Sequence, residues 1–206
     1  MVMNEKFFEL PTLELAKSLL GMELVHETDE GIASGIIVET EAYLGPEDMA
    51  AHSFGGRRTP RTEIMYAEPG YVYVYFIYGM HTCFNIVSGP LHKPEAILIR
   101  ALEPKEGIPL MMRRRSFEIP VLDDGDWKPG QLKKLTNGPG KLCKALGITL
   151  NDYGLKLNAK HLYIKGDTTI TEEHILSGPR INVDYAGEAA RYPYRFWIKD
   201  NIYVSK

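Results

Sequence analysis

The chain has 206 residues, a net charge of −3, 44% hydrophobic and 25% charged residues, the profile of a globular protein able to bury a real core. No apolar run approaches the ~20 residues that a membrane-spanning helix needs, which excludes that class. The first 21 residues carry Glu5, Glu9 and Glu14 and lack the basic front end and small-residue cleavage site of a signal peptide. The two cysteines, Cys83 and Cys143, stand in no metal or redox spacing, so a reducing cytoplasm is expected.

In chain order, Leu13, Ala16, Leu19 and Leu20 fit one face of a helix, with Thr12 as N-cap and Gly21 as stop. MELVHE and IASGIIVETEAY then read as a hairpin turning at Thr28-Asp29-Glu30-Gly31. LGPEDMAAHSFGGRRTPRTE reads as loop, with a short helix over residues 47–52. YVYVYFIYGMHTCFN is a second hairpin: Tyr71, Tyr73 and Tyr75 share one face, and Tyr78 sits at the tip beside Gly79. EAILIRAL is a buried strand. Residues 106–117 form a helix carrying Arg113, Arg114 and Arg115, DDGDWKPG is a loop, and a helix covers residues 141–146 after Gly138-Pro139. HLYIKG, RINVDY, YRFWIKD and NIYVSK are expected as strands, with a tight turn at Asp200-Asn201 between the last two. With no repeat, low-complexity tract or linker, residues 1–206 read as one domain of mixed α and β structure.

Charge is unevenly spread. Residues 1–56 have net charge −9, residues 57–144 have +5, and residues 145–206 have +1. The basic middle holds Arg57, Arg58 and Arg61, the three arginines at 113–115, and Lys128, Lys133, Lys134, Lys141 and Lys144. A phosphate backbone responds to such a local patch, not to overall charge, because screening limits the field to ~8–10 Å. The same residues also suit plain solvated faces.

The sequence has no HExxH, paired CxxC or EF-hand pattern, and no G-x-S-x-G. NGPGKL lacks the upstream glycine and following Ser/Thr of a phosphate loop. A chemistry without metal or nucleotide cofactor is favoured. Glu39, Glu41 and Tyr43 lie on one face of a strand rich in Ile and Val, where an ionised glutamate reached by water can act as a general base. Solvent-facing glutamates are the plainer reading. Arg100, inside AILIRAL, demands a carboxylate partner if buried, and Glu39 and Glu41 both qualify. Tyrosines grip flat rings: stacking a base on an aromatic side chain contributes about 1–3 kcal/mol. One at a hairpin tip can wedge into DNA. Five of the twelve tyrosines lie between Tyr66 and Tyr78.

With these residues in view, the chain resembles the alkyladenine (3-methyladenine) DNA glycosylase family of animals and bacteria. The blocks VETEAYLGPEDMAAHSFGGRRTPR, PGYVYVYFIYGMHTCFN, ILIRALEP, GPGKLCKALGI and AGEAARYPYRF carry the resemblance in family order. It implies a single compact domain around a curved, mainly antiparallel, open-barrel-like sheet with flanking helices and a protruding β-hairpin. It further implies a monomer without cofactor that acts on double-stranded DNA containing damaged purines. The damaged base is flipped out, its bond to the sugar is hydrolysed, and an abasic site remains. By motif, Glu41 matches the general base and Arg100 the arginine that positions its water. Tyr43, His52 and Tyr75 match the residues lining the flipped-base pocket, with Tyr43 and Tyr75 stacking on opposite faces. Asn85 matches the asparagine that disfavours guanine, Tyr78 the intercalating tyrosine, and Met65 and Met80 the residues beside that wedge. Tyr71 and Tyr73 are left as sheet-packing residues. His81 and Thr82 depart from the bulkier aromatics of animal members, which alters the hairpin surface. Tyrosine stacking is expected to favour cationic, electron-poor bases. The competing readings are a non-catalytic binder of unusual bases and a carbohydrate hydrolase using Glu39 and Glu41 as its carboxylate pair.

Overall fold

The computed structural model describes every residue except 78, 80, 121–126, 158–160, 167–169 and 206. Two short helices, α1 (Glu5–Phe8) and α2 (Thr12–Ser18), precede the hairpin of β1 (Glu23–Thr28) and β2 (Gly31–Leu44). A long connection with two 3₁₀ turns leads to β3 (Val72–Ile77), β4 (His81–Val87) and β5 (Glu95–Glu106). Three helices follow: α3 (Ile108–Arg115), α4 (Pro129–Thr136) and α5 (Pro139–Leu146). Then come β6 (Leu162–Lys165), β7 (Ile175–Gly178), a 3₁₀ segment (Asp184–Arg191) and β8 (Arg195–Ile198).

The strands form one sheet in the order β3-β4-β5-β2-β1-β6, with β8 beside β2 and β7 beside β8; every pairing is antiparallel. The mixed, mainly antiparallel fold expected from the sequence is therefore present. β2 is its axis. On one edge it pairs with β5 along most of its length, while on the other it pairs first with β1 and then with β8. The register slips around Glu39, where that change of neighbour occurs. A β-bulge bends a strand and re-aims its side chains, and here it frees the end of β2 to take β8.

Alternation divides the sheet's two faces. Val72, Val74, Phe84, Ile86, Ile97 and Ile99 point to the main core, where they meet Leu15 of α2 and Leu19 at its C-terminal cap, Met111 of α3, Leu135 of α4, and Leu142 and Leu146 of α5. Each such buried side chain contributes about 1.5–3 kcal/mol relative to exposure. The opposite face carries Tyr73, Asn85, Leu98 and Glu41. These stand in one cross-strand row, since Tyr73 pairs with Asn85, Asn85 with Leu98, Leu98 with Glu41, and Glu41 with Arg195 of β8.

Several local expectations are corrected. Thr12 opens α2 but does not cap it, because its hydroxyl lies 2.5 Å from Glu95 Oε2 and 3.0 Å from Ser88 Oγ. Residues 47–52 are turn, not helix, organised around the Asp48 carboxylate, which accepts from the N–H groups of Leu44 and Ala50. α4 begins inside DDGDWKPG, which reads as loop. Pro129-Gly130 looks like a breaker, yet proline suits the first helical position, where its missing N–H is not needed. RINVDY and NIYVSK alternate like strands but are not. Ile181 and Ser205 give their N–H groups to Glu41 and Glu39, not to a ladder. Asn182 and Asp200 turn the chain at φ 60° and 57°. β7 was not foreseen.

Gly107 enters α3 at φ 75°, and a Cβ there would fall against the carbonyl oxygen of Ile32. Gly107→Ala is expected to lower stability by about 1–3 kcal/mol. The readout is a lower urea midpoint at unchanged slope.

Candidate active site

Above the Tyr73–Asn85–Leu98 row lies a cavity of about 490 Å³. Its sheet wall continues through Tyr75 and Cys83, which pair across β3 and β4, and through Ala96 and Arg100 of β5. Tyr43, Ala50, His52 and Met65 close one side, Ile181, Asn182, Val183 and Tyr185 another, and Arg115 with residues 138–141 a third. Strands lie ≈ 4.8 Å apart, so the two steps from Asn85 to Glu41 span about 10 Å, the length of a flat bicyclic ring with room for its neighbours.

Glu39 and Glu41 are fully buried, and Arg100 is 7% exposed. The solvent-facing reading of the two glutamates is thus wrong. Arg100 joins them: its Nε donates to Glu39 Oε1 at 3.1 Å and its Nη1 to Glu41 Oε2 at 3.2 Å. Burial alone would lower the pKa of Arg100, but the adjoining carboxylates of Glu41 and Glu39 raise it. The two carboxylates differ in their partners. Glu39 also accepts from Arg195 Nε (2.6 Å), Ser205 Oγ (3.0 Å) and the Ser205 N–H (2.7 Å). With Arg100 these are four donors, three on Oε1 and one on Oε2. Glu41 accepts the Ile181 N–H (2.7 Å), the Tyr43 hydroxyl (2.8 Å) and Arg100. Two of these donors fall on Oε2 and one on Oε1. Glu41 lies just beneath the cavity, covered by Tyr43, Arg100 and Ile181, which do line it.

Tyr43 is braced from behind. The Arg180 guanidinium lies 4.7 Å from its ring centroid. Arg180 is itself fixed by a bidentate pair with Asp48 and by the carbonyls of Ala42 (2.8 Å) and Ala189 (3.1 Å). Burial, then the Glu41 charge, drives the Tyr43 phenol well above its ordinary pKa, so it stays protonated and donates.

His52, Tyr73 and Tyr75 form an aromatic cluster. The His52 ring meets Tyr75 edge-on at 4.6 Å, and Tyr73 and Tyr75 lie 5.3 Å apart. His52 Nδ1 is 2.9 Å from the Tyr73 hydroxyl, and Arg61 Nη2 is 3.0 Å from His52 Nε2. The Nδ1–H tautomer satisfies both contacts. Burial first, then the charges of Arg61 and Arg57, push His52 down to about 4, so the ring is neutral at pH 7. Burial also raises the Tyr75 phenol. Tyr73 had been read as sheet packing alone. It does pack with Met65, Val87 and Ala96, but its hydroxyl also holds His52. Asn85 faces the cavity with its side-chain amide donating to the Tyr73 carbonyl at 3.0 Å.

Tyr78 and Met80, placed by sequence at the hairpin tip, lie outside the described residues. Met65 is a buried cavity wall residue. Strand periodicity could not single out Ile181, Arg180, Asp48, Cys83 or Arg61, because each enters from a loop or by pairing. The basic middle is also sorted. Arg58 pairs with Glu63, and Arg113 and Arg114 with Glu30, whereas Arg115 and Lys141 line the cavity. Among the described residues no helix is long and apolar enough to cross a membrane.

Glu39→Gln removes the charge that balances buried Arg100 and Arg195, and is expected to cost about 3–5 kcal/mol in urea unfolding. Between pH 4 and 6.5 the unfolded chain protonates His52 while the folded chain does not. The stability linked to this histidine is thus complete above pH 6.5 and lost on acidification towards 4. Urea midpoints across this range should fall less steeply for His52→Gln than for the unsubstituted chain.

The methylpurine-DNA glycosylase family model matches residues 6–202. A protein of Bacillus licheniformis named "Putative 3-methyladenine DNA glycosylase" is 58% identical over 202 residues, covering 98% of this chain and 95% of its own. Proteins of the same name from Bacillus cereus and Bacillus cytotoxicus are 51% and 50% identical over 204 residues, each covering 97% of both chains. Their match runs through β2, the cavity loops and the C-terminal segments alike, and the chain belongs to the methylpurine-DNA glycosylase family.

Proposed function

We propose that this protein is a monofunctional DNA glycosylase of base-excision repair. It takes 3-methyladenine and related alkylated or deaminated purines, such as 7-methylguanine and hypoxanthine, from duplex DNA. The observation that carries this reading is the unequal pair of buried carboxylates. Glu39 is tied to Arg195 and Ser205, which lie outside the cavity lining, while the three donors to Glu41 (Tyr43, Arg100 and Ile181) all line it, in a slot walled also by His52, Tyr75 and Asn85. The family membership supports the same activity.

In this reading the flipped purine lies between Tyr43 and Tyr75. Tyr78 fills the gap left in the duplex, and Asn85 opposes the exocyclic amine of guanine. Water attacks C1′ of the deoxyribose as the bond to the purine nitrogen breaks. The bonding electron pair leaves with the base, and the water proton passes to Glu41. Arg100 positions the carboxylate and the water. The sugar becomes cationic in the transition state, as in glycoside hydrolysis, and the Glu41 charge stabilises it. A cationic alkylpurine is neutralised by the departing pair. Hypoxanthine needs a proton or strong hydrogen bonds as it leaves. The pairing of Glu39 with Arg195 and Ser205, neither of which lines the cavity, counts against a carbohydrate hydrolase with two working carboxylates.

Glu41→Gln is expected to lower single-turnover base release by about 10²–10⁴-fold while binding to lesion duplex persists. Release near the normal rate would overturn the assignment of Glu41. If the unsubstituted protein binds lesion duplex yet leaves no alkali-labile site, it is a binder and not a glycosylase. Tyr78→Ala should weaken both binding and release; a variant unchanged in both removes the wedge from the mechanism.

A further inference from the structure

Arg61 stands where its charge meets the cavity from behind. Its guanidinium carbon lies 4.6 Å from the Tyr75 ring centroid, Nη2 is 3.0 Å from His52 Nε2, and Nε is 3.4 Å from the Tyr73 hydroxyl. Arg61 does not line the 490 Å³ cavity. It lines an adjoining groove of about 310 Å³, and His52 is a wall common to both. The arginines at the buried carboxylates are balanced: Arg100 and Arg195 by Glu39 and Glu41, and Arg180 by Asp48. The contacts described for Arg61 are all with uncharged rings, so its positive charge is matched by no carboxylate among the described residues.

We propose that Arg61 is a specificity-determining residue that holds a fixed positive charge behind Tyr75 and His52 and so lowers the pocket's preference for cationic bases relative to neutral ones. This inference rests on the glycosylase reading above and adds which chemical class of purine the pocket takes. A ring whose electrons already attract one cation attracts a second more weakly, and the two cations repel through the wall. A neutral purine of the same shape escapes both effects. Arg115 and Lys141 also line the cavity, on α3 and α5, and add to the same field, but neither is in described contact with the aromatic cluster. The depressed basicity of His52 follows first from burial and then from the charge of Arg61 and that of Arg57, which lines the same groove. The aromatic slot, judged by its rings alone, would favour cations; Arg61 moves that balance.

The test measures single-turnover release of 7-methylguanine, which is cationic, and hypoxanthine, which is neutral, from otherwise identical duplexes, with spontaneous loss subtracted. A ratio taken on one preparation is independent of its active fraction, so partial unfolding of a variant does not blur it. Arg61→Met and Arg61→Gln should raise the 7-methylguanine to hypoxanthine ratio on the order of tenfold. Arg61→Lys should keep the unsubstituted ratio within about twofold. An unchanged ratio in the two neutral variants overturns the proposal. So does an equal fall for both substrates with a shallower salt dependence, the mark of a lost phosphate contact. A lysine variant as altered as the methionine one would also overturn it, by assigning the effect to shape and not charge. If the unsubstituted protein releases neither base, and no 3-methyladenine either, the glycosylase reading itself fails.

Discussion

Arg100 between Glu39 and Glu41 is the constraint around which the rest of the molecule is arranged. Two carboxylates with no exposed surface cannot stay ionised in a protein interior without compensating charge and hydrogen bonds. One guanidinium reaches both, and still the balance is incomplete. β8 therefore brings Arg195, the C-terminal segment brings Ser205, and the segment after Arg180 brings the Ile181 N–H. The bulge near Glu39 and the exchange of β1 for β8 as neighbour of β2 are the backbone's share of the same solution. A sheet could be closed more simply, but then these carboxylates would have no partners.

The alternation of a β-strand converts this charge cluster into a site. One face of β3, β4 and β5 is given to the core and its helices, the other to a row of Tyr73, Asn85 and Leu98 leading to Glu41. Strand spacing sets the distances within that row, and the loops at residues 48–66 and 181–185 raise its walls. The site thus sits on paired strands, with loops around its rim. The proposed base and the proposed guanine filter are separated by a single strand, so neither can shift without the ladder between them.

Two tyrosines proposed to hold the base are each touched by a guanidinium, Tyr43 by Arg180 and Tyr75 by Arg61. The two cations differ in kind. Arg180 is buried and paired with Asp48, so its role is to fix a ring. Arg61 is exposed and faces neutral groups, so its charge projects into its surroundings. The difference follows from the elements that carry them: one arginine lies on a segment pinned beneath β2, the other on a surface loop.

Local signals were enough for much of this. Alternation gave the strands through residue 102, the glutamate pair and the arginine in an apolar strand announced themselves, and the quoted blocks pointed to the family. Where the chain alternates apolar residues without joining a ladder, as in RINVDY and NIYVSK, the pattern misled, because it reports burial and not the destination of the backbone N–H. The sequence by itself determined which residue types are present and which strands carry them. Only the tertiary structure decided that Glu39 is tied to Ser205 and Arg195 while Glu41 meets residues that line the cavity. That distinction depends on Ile181 and Ser205, 140 and 166 residues away along the chain, and no local pattern can count hydrogen bonds that arrive from so far.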